Sequence, residues 1–323
     1  MKRRWQRGVT AAIAALTGCI ASDASAGVIH SNHDERIAAL YGAAEPFRSV
    51  GQFIVRGENN TAWAGSGVYL GDGWVLTAAH VAESATSMTF SVDGEQSTVE
   101  TTYLHPRWGS SSLLDGNDLA LVKLNEELPT VTAATRMRTG RERGGKGASI
   151  GYGRTGEAEA GYSTSTSLSK RGGRNTVDTI YNRRLLLMDF DSGRSGDNSM
   201  GRARAVRFEY LIAPGDSGGG LFIYNRGVWE LAGIHSFGWG VLDGTANASF
   251  SDVSGHTRVR FHNRWIDRVL AGYDSVSLTS GESVSTSLFT ATALNASFVP
   301  EPASSLLLGA LGLTALRRRR RSG

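Results

Sequence analysis

Short apolar runs separated by turn residues constrain the fold of this chain more than any other feature. Between residues 45 and 255, almost no apolar stretch has the 3.6-residue period of a helix. Instead, runs rich in Val, Ile, Leu and Phe alternate with Gly, Asp and Asn, which is typical of β-strands joined by turns. The main runs are 50–55, 67–70, 74–77, 119–124, 148–151, 221–223 and 228–234. Their number and spacing predict an all-β barrel or sandwich.

One segment has a helical period instead. Within residues 261–271, five apolar side chains recur at helical spacing, and Gly272 follows as a helix-ending residue. The body is therefore predicted to be two β-barrels followed by one terminal helix. Residues 274–298 are dominated by Ser and Thr, which predicts a linker, although their low charge leaves one or two further strands open.

The first 26 residues have the three parts of a secretory signal peptide. Residues 2–7 carry four basic side chains, 8–16 form a short apolar run, and 24–26 supply the small residues at which signal peptidase cuts. Gly27 is then the expected first residue of the mature protein. An alternative is a lipobox at residues 16–19, which would place a lipidated Cys19 at the mature terminus.

Residues 299–323 combine a proline motif, an apolar run and a basic end. Pro300-Glu301-Pro302 precedes the apolar run 303–316, and five arginines follow at 317–321. The run has 14 residues, fewer than the roughly 20 of a membrane-spanning helix, and the arginines favour a cytoplasmic end. The segment resembles a PEP-CTERM sorting signal. That resemblance implies transient inner-membrane insertion, cutting by an exosortase-type enzyme, and delivery to a bacterial cell surface or extracellular matrix; a permanent C-terminal anchor is the alternative.

The positive charge of the chain belongs to these terminal segments. The whole sequence has 34 basic and 30 acidic residues, but positions 27–299 keep 25 basic and 28 acidic ones. Nucleic-acid binding is therefore not expected of the exported body. The single cysteine, Cys19, lies in the predicted signal peptide, so the body must fold without a disulfide.

Three polar motifs stand in chain order, each beside a predicted strand. They are LTAAHV at 76–81, GNDLALVKL at 116–124 and PGDSGGGL at 214–221. From about residue 49 to 273 the chain resembles the trypsin/chymotrypsin-like serine peptidases. The resemblance implies two six-stranded antiparallel β-barrels with a C-terminal helix, a domain at 27–273, no cofactor, and a protein or peptide substrate.

The residue types in these motifs fit acyl-transfer chemistry. A serine hydroxyl is a weak nucleophile and needs an adjacent base, so Ser217 would be activated by His80. Asp118 would accept the other ring N–H of His80 and fix its tautomer. The order His, Asp, Ser is the one that accompanies the double-barrel fold. By resemblance, the backbone N–H groups of Gly215 and Ser217 form an oxyanion hole, worth ~3–4 kcal/mol per donor.

The resemblance also assigns a substrate-binding region. Leu211, six residues before Ser217, would form the base of the pocket for the residue preceding the scissile bond, the P1 residue. In the edge strand 233–238, Ser236 would support Asp118, Phe237 would form a flat apolar wall, and Gly238 would face the peptide. An unpaired cation in an apolar pocket costs several kcal/mol, and Leu211 offers no carboxylate. An apolar or small P1 side chain is therefore predicted, rather than Arg or Lys.

Two further features are left open by the sequence. Asp216 corresponds to the family's buried aspartate that pairs with a freed N-terminal amine, and the amine could come from Ile37 after a cut, from Gly27, or from no terminus at all. The acids Asp189, Asp191 and Asp197 could form a calcium loop, but their spacing does not match an EF-hand, and no metal is predicted.

The leading interpretation is an exported serine endopeptidase that works through a His-Asp-Ser triad and an acyl-enzyme. A catalytically silent surface adhesin or matrix protein on the same fold is the alternative. A quality-control peptidase of the Deg type is disfavoured, since no segment of PDZ size follows the predicted domain.

Overall fold

The computed structural model describes residues 27–30, 33–163, 169–201, 205–273 and 278–279. It contains three α-helices: α1 (Glu35–Gly42), α2 (Ala79–Ala82) and α3 (Val259–Leu270). Single 3₁₀ turns occur at Glu45–Phe47, Glu58–Asn60, Trp108–Ser110 and Leu113–Asp115.

Eighteen strands make up the rest of the regular secondary structure among the described residues. In the first half of the chain they are β1 (Gly27–Ile29), β2 (Val50–Arg56), β3 (Ala62–Gly71), β4 (Trp74–Thr77), β5 (Ser87–Val92), β6 (Glu95–Leu104) and β7 (Ala120–Leu124). In the second half they are β8 (Lys146–Gly151), β9 (Thr155–Glu157), β10 (Gly161–Tyr162), β11 (Arg171–Thr176), β12 (Thr179–Tyr181), β13 (Leu185–Asp189), β14 (Tyr210–Leu211), β15 (Gly220–Asn225), β16 (Val228–Trp239), β17 (Val253–Arg258) and β18 (Leu278–Thr279).

The first half forms a closed barrel of six antiparallel strands. They pair in the order β6–β5–β2–β3–β4–β7, and a further pairing of β6 with β7 closes the ring. In β5, Met88, Phe90 and Val92 alternate with less buried residues and point inward. The rings of Phe90 and Phe53 meet across the interior, with centroids 4.8 Å apart. Because each fully buried side chain of this size contributes roughly 1.5–3 kcal/mol, such a core can hold the barrel without a disulfide.

The second half of the chain, together with β1, forms two sheets. A seven-stranded sheet runs β11–β8–β15–β16–β17–β13–β12, and a four-stranded sheet runs β10–β9–β1–β14. The predicted mostly β architecture with a C-terminal helix is confirmed. The six-strand closure expected of both barrels is seen in the first half, whereas the second half carries an extra strand and a separate small sheet. Its β1–β9 pair is parallel.

The C-terminal helix α3 lies where the sequence predicted a helix, beginning two residues earlier. Val259, Ile266 and Val269 are buried in the main core. On the other side, Asp267 accepts hydrogen bonds from Arg136 at 2.7 Å and from Arg138 at 2.8 Å. The helix thereby fixes the connection between the two halves against the core.

The segment after α3 is only partly described. Strand β18, at the start of the predicted linker, pairs antiparallel with β6, with Leu278 opposite Thr102. One of the strands left open by the sequence is therefore present. The rest of the linker, the predicted signal peptide and the sorting signal lie outside the described residues. Among the helices that the structure describes, none is long and apolar enough to cross a membrane.

Candidate active site

His80 and Asp118 are joined by two hydrogen bonds. His80 lies in α2, directly after β4, and Asp118 lies just before β7, the partner of β4 in the barrel. The Nδ1 atom of His80 is 2.7 Å from Asp118 Oδ2, and the backbone N–H of His80 donates to Oδ1 at 3.0 Å. Both carboxylate oxygens therefore fix the position of the histidine, whose side chain keeps 22% of its surface exposed.

The carboxylate of Asp118 is completely buried and held by further groups. The Ser236 hydroxyl donates to Oδ2 at 2.5 Å, as the sequence predicted for this residue. The Thr257 hydroxyl donates to the backbone carbonyl of Asp118 at 2.8 Å. Since a buried polar group is costly unless hydrogen-bonded, the Ser236 hydroxyl helps to keep the carboxylate oriented toward His80, while the Thr257 hydroxyl fixes the backbone of Asp118.

Ser217 lies on a tight turn that packs against the strand leading to His80. The backbone N–H of Ser66 donates to the Ser217 carbonyl at 2.7 Å. At Gly218, where φ is +83°, a Cβ atom would lie 2.1 Å from both the Ser66 carbonyl oxygen and the Thr77 hydroxyl. Only glycine allows this approach, which places the turn of Ser217 beside the connection that carries His80.

The predicted oxyanion residues occupy the same turn. Gly215 has φ of +99°, and its carbonyl accepts a hydrogen bond from the Ser66 hydroxyl at 2.9 Å. That hydroxyl in turn accepts from the backbone N–H of Tyr152 at 3.0 Å. The turn is thus anchored to both halves of the domain, as a preorganised set of backbone donors requires.

Asp216 is fully buried and accepts hydrogen bonds from neighbouring groups. Its carboxylate accepts from the backbone N–H groups of Gly153 at 2.8 Å and Ala213 at 2.9 Å. The Tyr210 hydroxyl donates to it at 3.2 Å. Burial and the adjacent Asp216 carboxylate raise the pKa of Tyr210 well above its ordinary value, so the phenol stays protonated and remains a donor.

Strand β1 brings the predicted mature terminus to this network. A Cβ atom on Gly27 would lie 2.0 Å from the Tyr210 hydroxyl oxygen, so residue 27 lies directly against the group that contacts Asp216. Ile37, the other candidate terminus, lies inside α1, whose first turn is capped by the Asp34 side chain. A cut before Ile37 would break that helix.

A small open cleft, with a cavity volume of about 20 Å³, lies next to the turn. Its lining consists of Tyr162, Leu211, Ile212, Ala213, Pro214, Gly238, Ala246, Ala248 and Asp252. Leu211 and Gly238, both predicted from the sequence to bind substrate, face it. The ring of Phe237 instead packs on β17, where a Cβ atom on Gly255 would lie 2.2 Å from it, and the residue is only 6% exposed. Its role as a substrate wall stays a prediction.

Asp252 is the lining residue that sequence reasoning missed. It directly precedes β17, and only the pairing of β17 with β16 brings it to the side of Gly238. The local sequence, an acid before a strand, gives no sign of this. Burial, together with the negative charge of Asp243, raises the pKa of Asp252 to about 7, while backbone N–H groups of residues 247–249 oppose the shift.

Two of the acids that could form a calcium loop, Asp189 and Asp191, are buried in the structure. The Asp189 carboxylate accepts hydrogen bonds from the Met200 backbone N–H at 2.6 Å and the Ser199 hydroxyl at 3.2 Å. Burial and the charge of Asp189 raise the pKa of Asp191 to about 7. Within the described ranges, no group of three or more His, Asp, Glu or Cys side chains is arranged to hold a metal ion.

A pair of buried histidines lies behind the Ser217 turn. The Nδ1 atoms of His235 and His256 are 2.8 Å apart, so one donates to the other. Burial lowers the pKa of His256 to about 3 and holds that of His235 well below its ordinary value. The pair is therefore neutral at physiological pH. It links β16 to β17 next to the Ser217 turn, because the Gly218 N–H donates to the His235 carbonyl at 2.9 Å.

Comparisons with known proteins show the family and the fold. The Trypsin family model matches residues 42–266, and the PEP-CTERM protein-sorting motif matches residues 298–321. A search of curated proteins found no match. Among solved structures, the chain is similar to HL collagenase, with a TM-score of 0.53 and 17% identity over 71% of this chain and 95% of that one. At this identity the likeness shows the fold alone. Because the Trypsin match covers well over half of the sequence, the chain belongs to the trypsin family and ends in a PEP-CTERM sorting motif.

Proposed function

We propose that this protein is an exported serine endopeptidase. The observation that carries the proposal is the arrangement of a buried Asp118 bonded to His80, with the Ser217 turn packed against the end of β4. These are the parts that activate a serine hydroxyl for attack on a carbonyl carbon.

In the acylation step, Ser217 Oγ attacks the scissile carbonyl and its proton passes to His80 Nε2. Asp118 accepts the Nδ1–H of His80 and stabilises the imidazolium that forms. The carbonyl oxygen becomes an oxyanion that accepts from the Gly215 and Ser217 N–H groups. The intermediate collapses as His80 returns the proton to the leaving amine, and a serine ester remains. Water, deprotonated by His80, then hydrolyses the ester and regenerates Ser217.

The edge of β16 supports binding of an extended peptide. Strand β15 pairs with β16 only as far as Ile234, whereas β17 pairs with β16 up to Trp239. Among the described strands, one edge of residues 236–239 therefore has no β-partner, and this edge runs beside the cleft at Gly238. Main-chain hydrogen bonds from a substrate strand would fit there.

Labelling with a fluorophosphonate probe tests the function. Such a probe reacts with a serine only where an adjacent base activates it. We expect one adduct per protein, located by peptide mapping at Ser217, together with cleavage of a peptide library by the same preparation. Absence of both would favour the alternative, a surface adhesin or matrix protein on a silent peptidase fold.

The terminal segments support export in two steps. The PEP-CTERM match at 298–321 points to an exosortase-type partner and release at the cell surface. Signal peptidase would cut before Gly27. Because Gly27 lies against the Tyr210 hydroxyl beside Asp216, the new amine would form next to the oxyanion turn and could order it.

Intact-mass measurement of the protein from its native envelope tests both cuts. We expect a form that starts at Gly27 and ends near Pro300-Glu301-Pro302, without residues 303–323. The prolines resist helix formation and keep this site extended for a processing enzyme. Recovery of the arginine block on the surface form would indicate a permanent anchor, and a lipid mass on Cys19 would indicate the lipobox route.

A further inference from the structure

The direction of the two proposed oxyanion donors is set by the carbonyl groups of the Ser217 turn, residues 214–217. Because a trans peptide is planar, its N–H and C=O groups point in opposite directions. The Gly215 N–H lies in one peptide plane with the Pro214 carbonyl. The Ser217 N–H lies in one plane with the Asp216 carbonyl. The groups that hold these two carbonyls therefore aim the two donors.

Backbone N–H groups of the domain hold both of these carbonyls. The Pro214 carbonyl accepts from the Arg154 N–H at 2.8 Å. The Asp216 carbonyl accepts from the Gly219 N–H at 2.8 Å. The orientation of both donor planes is thus fixed by neutral main-chain hydrogen bonds.

The peptide plane between them is held by a side chain. The Ser66 hydroxyl donates to the Gly215 carbonyl at 2.9 Å and accepts from the Tyr152 N–H at 3.0 Å. The backbone N–H of the same residue donates to the Ser217 carbonyl at 2.7 Å. Ser66 is completely buried, so these bonds have no competition from water. Ser66 therefore joins the turn to the first barrel at two points.

The Asp216 side chain is a further attachment of the turn. Besides two backbone N–H groups, its carboxylate accepts from the Tyr210 hydroxyl at 3.2 Å. The Tyr210 ring is completely buried between two glycine backbones, because a Cβ atom would lie 2.0 Å from it at Gly27 and 2.5 Å from it at Gly173. This packing fixes the hydroxyl beside the carboxylate, where a donor to a buried charge is most valuable.

None of these bonds uses a free N-terminal amine. In the uncut chain the nitrogen of Gly27 belongs to the peptide bond with Ala26 and carries no charge. An amine freed at Gly27 would form beside Tyr210 and would join donors that are already in place.

We propose that Tyr210 and Ser66 are positioning residues that hold the Ser217 turn in its bonded conformation, so that the peptidase is active without a freed N-terminal amine. This inference rests on the proposed peptidase function and concerns the regulation of the same site. Among the partners that the sequence left open for Asp216, it selects the case in which no terminus is needed.

The first experiment moves the amine away from Asp216. Insertion of Gly-Ser-Gly between Ala26 and Gly27 keeps the predicted signal-peptidase site, so the exported protein carries three residues ahead of Gly27. The amine is then displaced by up to ~10 Å. We expect kcat/KM on a cleavable peptide within about 3-fold of the protein that starts at Gly27, since no hydrogen bond of the turn is lost. Intact mass verifies both termini.

The second experiment removes the side-chain donors. Tyr210→Phe keeps the ring and loses only the hydroxyl, and Ser66→Ala loses the bond to the Gly215 carbonyl. In Tyr210→Phe, kcat should fall about 10- to 100-fold, the usual worth of a hydrogen bond to a charged group, with KM within about 3-fold of wild type. The loss should be the same with and without the insertion. Ser66→Ala should also lower kcat rather than raise KM.

A peptide boronate tests whether the loss arises in the oxyanion hole. One oxygen of its tetrahedral adduct with Ser217 occupies the oxyanion position, so the inhibitor resembles the transition state. It should bind Tyr210→Phe more weakly than wild type by the factor by which kcat/KM falls. Unchanged boronate affinity would mean that the hydroxyl does not act on the turn.

Tyr69→Phe is the matched control. Tyr69 is 3% exposed, and its hydroxyl accepts from the backbone N–H groups of Gly73 and Leu128, both at 3.2 Å. The substitution should lower the melting temperature, because two buried donors lose their acceptor. The kcat of the folded protein should stay within about 2-fold of wild type, since no bond of the Ser217 turn is changed. A purely structural role for Tyr210 predicts the same result for Tyr210→Phe.

The outcomes distinguish this inference from the function on which it rests. A loss of about 10-fold or more on insertion would mean that the amine orders the turn. That result, or a kcat of folded Tyr210→Phe equal to that of Tyr69→Phe, overturns the inference and leaves the peptidase intact. Failure of wild type to cleave any peptide, combined with no fluorophosphonate adduct at Ser217, overturns the peptidase function itself.

Discussion

Ser217→Ala is expected to reduce peptide hydrolysis at least ~10³-fold while leaving the fold intact. The variant lacks the atom that forms the acyl-enzyme, so only transition-state binding by the backbone donors remains. The contacts that hold the turn use main-chain atoms and survive: the Ser217 carbonyl still accepts from Ser66, and Gly218 still donates to His235. The measurement is kcat/KM on a cleavable peptide, alongside thermal unfolding of both proteins.

The control is Ser149→Ala, which removes the hydroxyl of another buried serine. Ser149 is 1% exposed, and its Oγ has no hydrogen-bond partner within the described part of the chain, so truncation leaves no orphaned group. Its activity should stay near that of wild type. If Ser217→Ala also retained near wild-type activity, the assignment of the nucleophile would be wrong.

The sequence predicted those parts of the fold that local patterns encode. All seven apolar runs lie largely within strands, because short apolar runs bounded by turn residues are typical of strands that are buried on both faces. Helix α3 was predicted from the 3.6-residue period of its apolar side chains. The four-stranded sheet of β1, β9, β10 and β14 was not, since strands of two or three residues are too short to show a period.

In the candidate site too, some residues were predicted from local motifs and others were not. His80, Asp118 and Ser217 stand in motifs whose local order is informative, and the structure bonds the first two directly. Asp252 stands in no motif. Its place in the cleft depends on the register of β17 against β16, a long-range pairing that a single sequence does not reveal.

Asp118→Asn is expected to lower kcat by about 10⁴-fold, the loss that a wrong histidine tautomer causes in this type of triad. The Oδ1 position of Asp118 receives the backbone N–H of His80, which can only donate. An asparagine must therefore keep its oxygen there and place its NH₂ group at the Oδ2 position, 2.7 Å from His80 Nδ1.

Facing a donor, Nδ1 of His80 must become an acceptor, so the ring proton moves to Nε2. That nitrogen then has no lone pair with which to take the proton of Ser217, and the base is lost without any change in packing. The Ser236 hydroxyl, which donates to Oδ2 in wild type, can rotate to accept from the new NH₂ group. The variant should therefore fold normally, and the loss should appear in kcat far more than in KM.

Comparison with Ser236→Ala isolates the effect of the His80 tautomer on activity. It removes one donor to the Asp118 carboxylate but leaves both bonds to His80, so the correct tautomer is retained and the loss should be about 10-fold or less. Kinetics of both variants on one peptide decide the matter. Asp118→Asn activity within 10-fold of wild type would mean that His80 does not depend on Asp118, and the proposed base would have to be sought elsewhere.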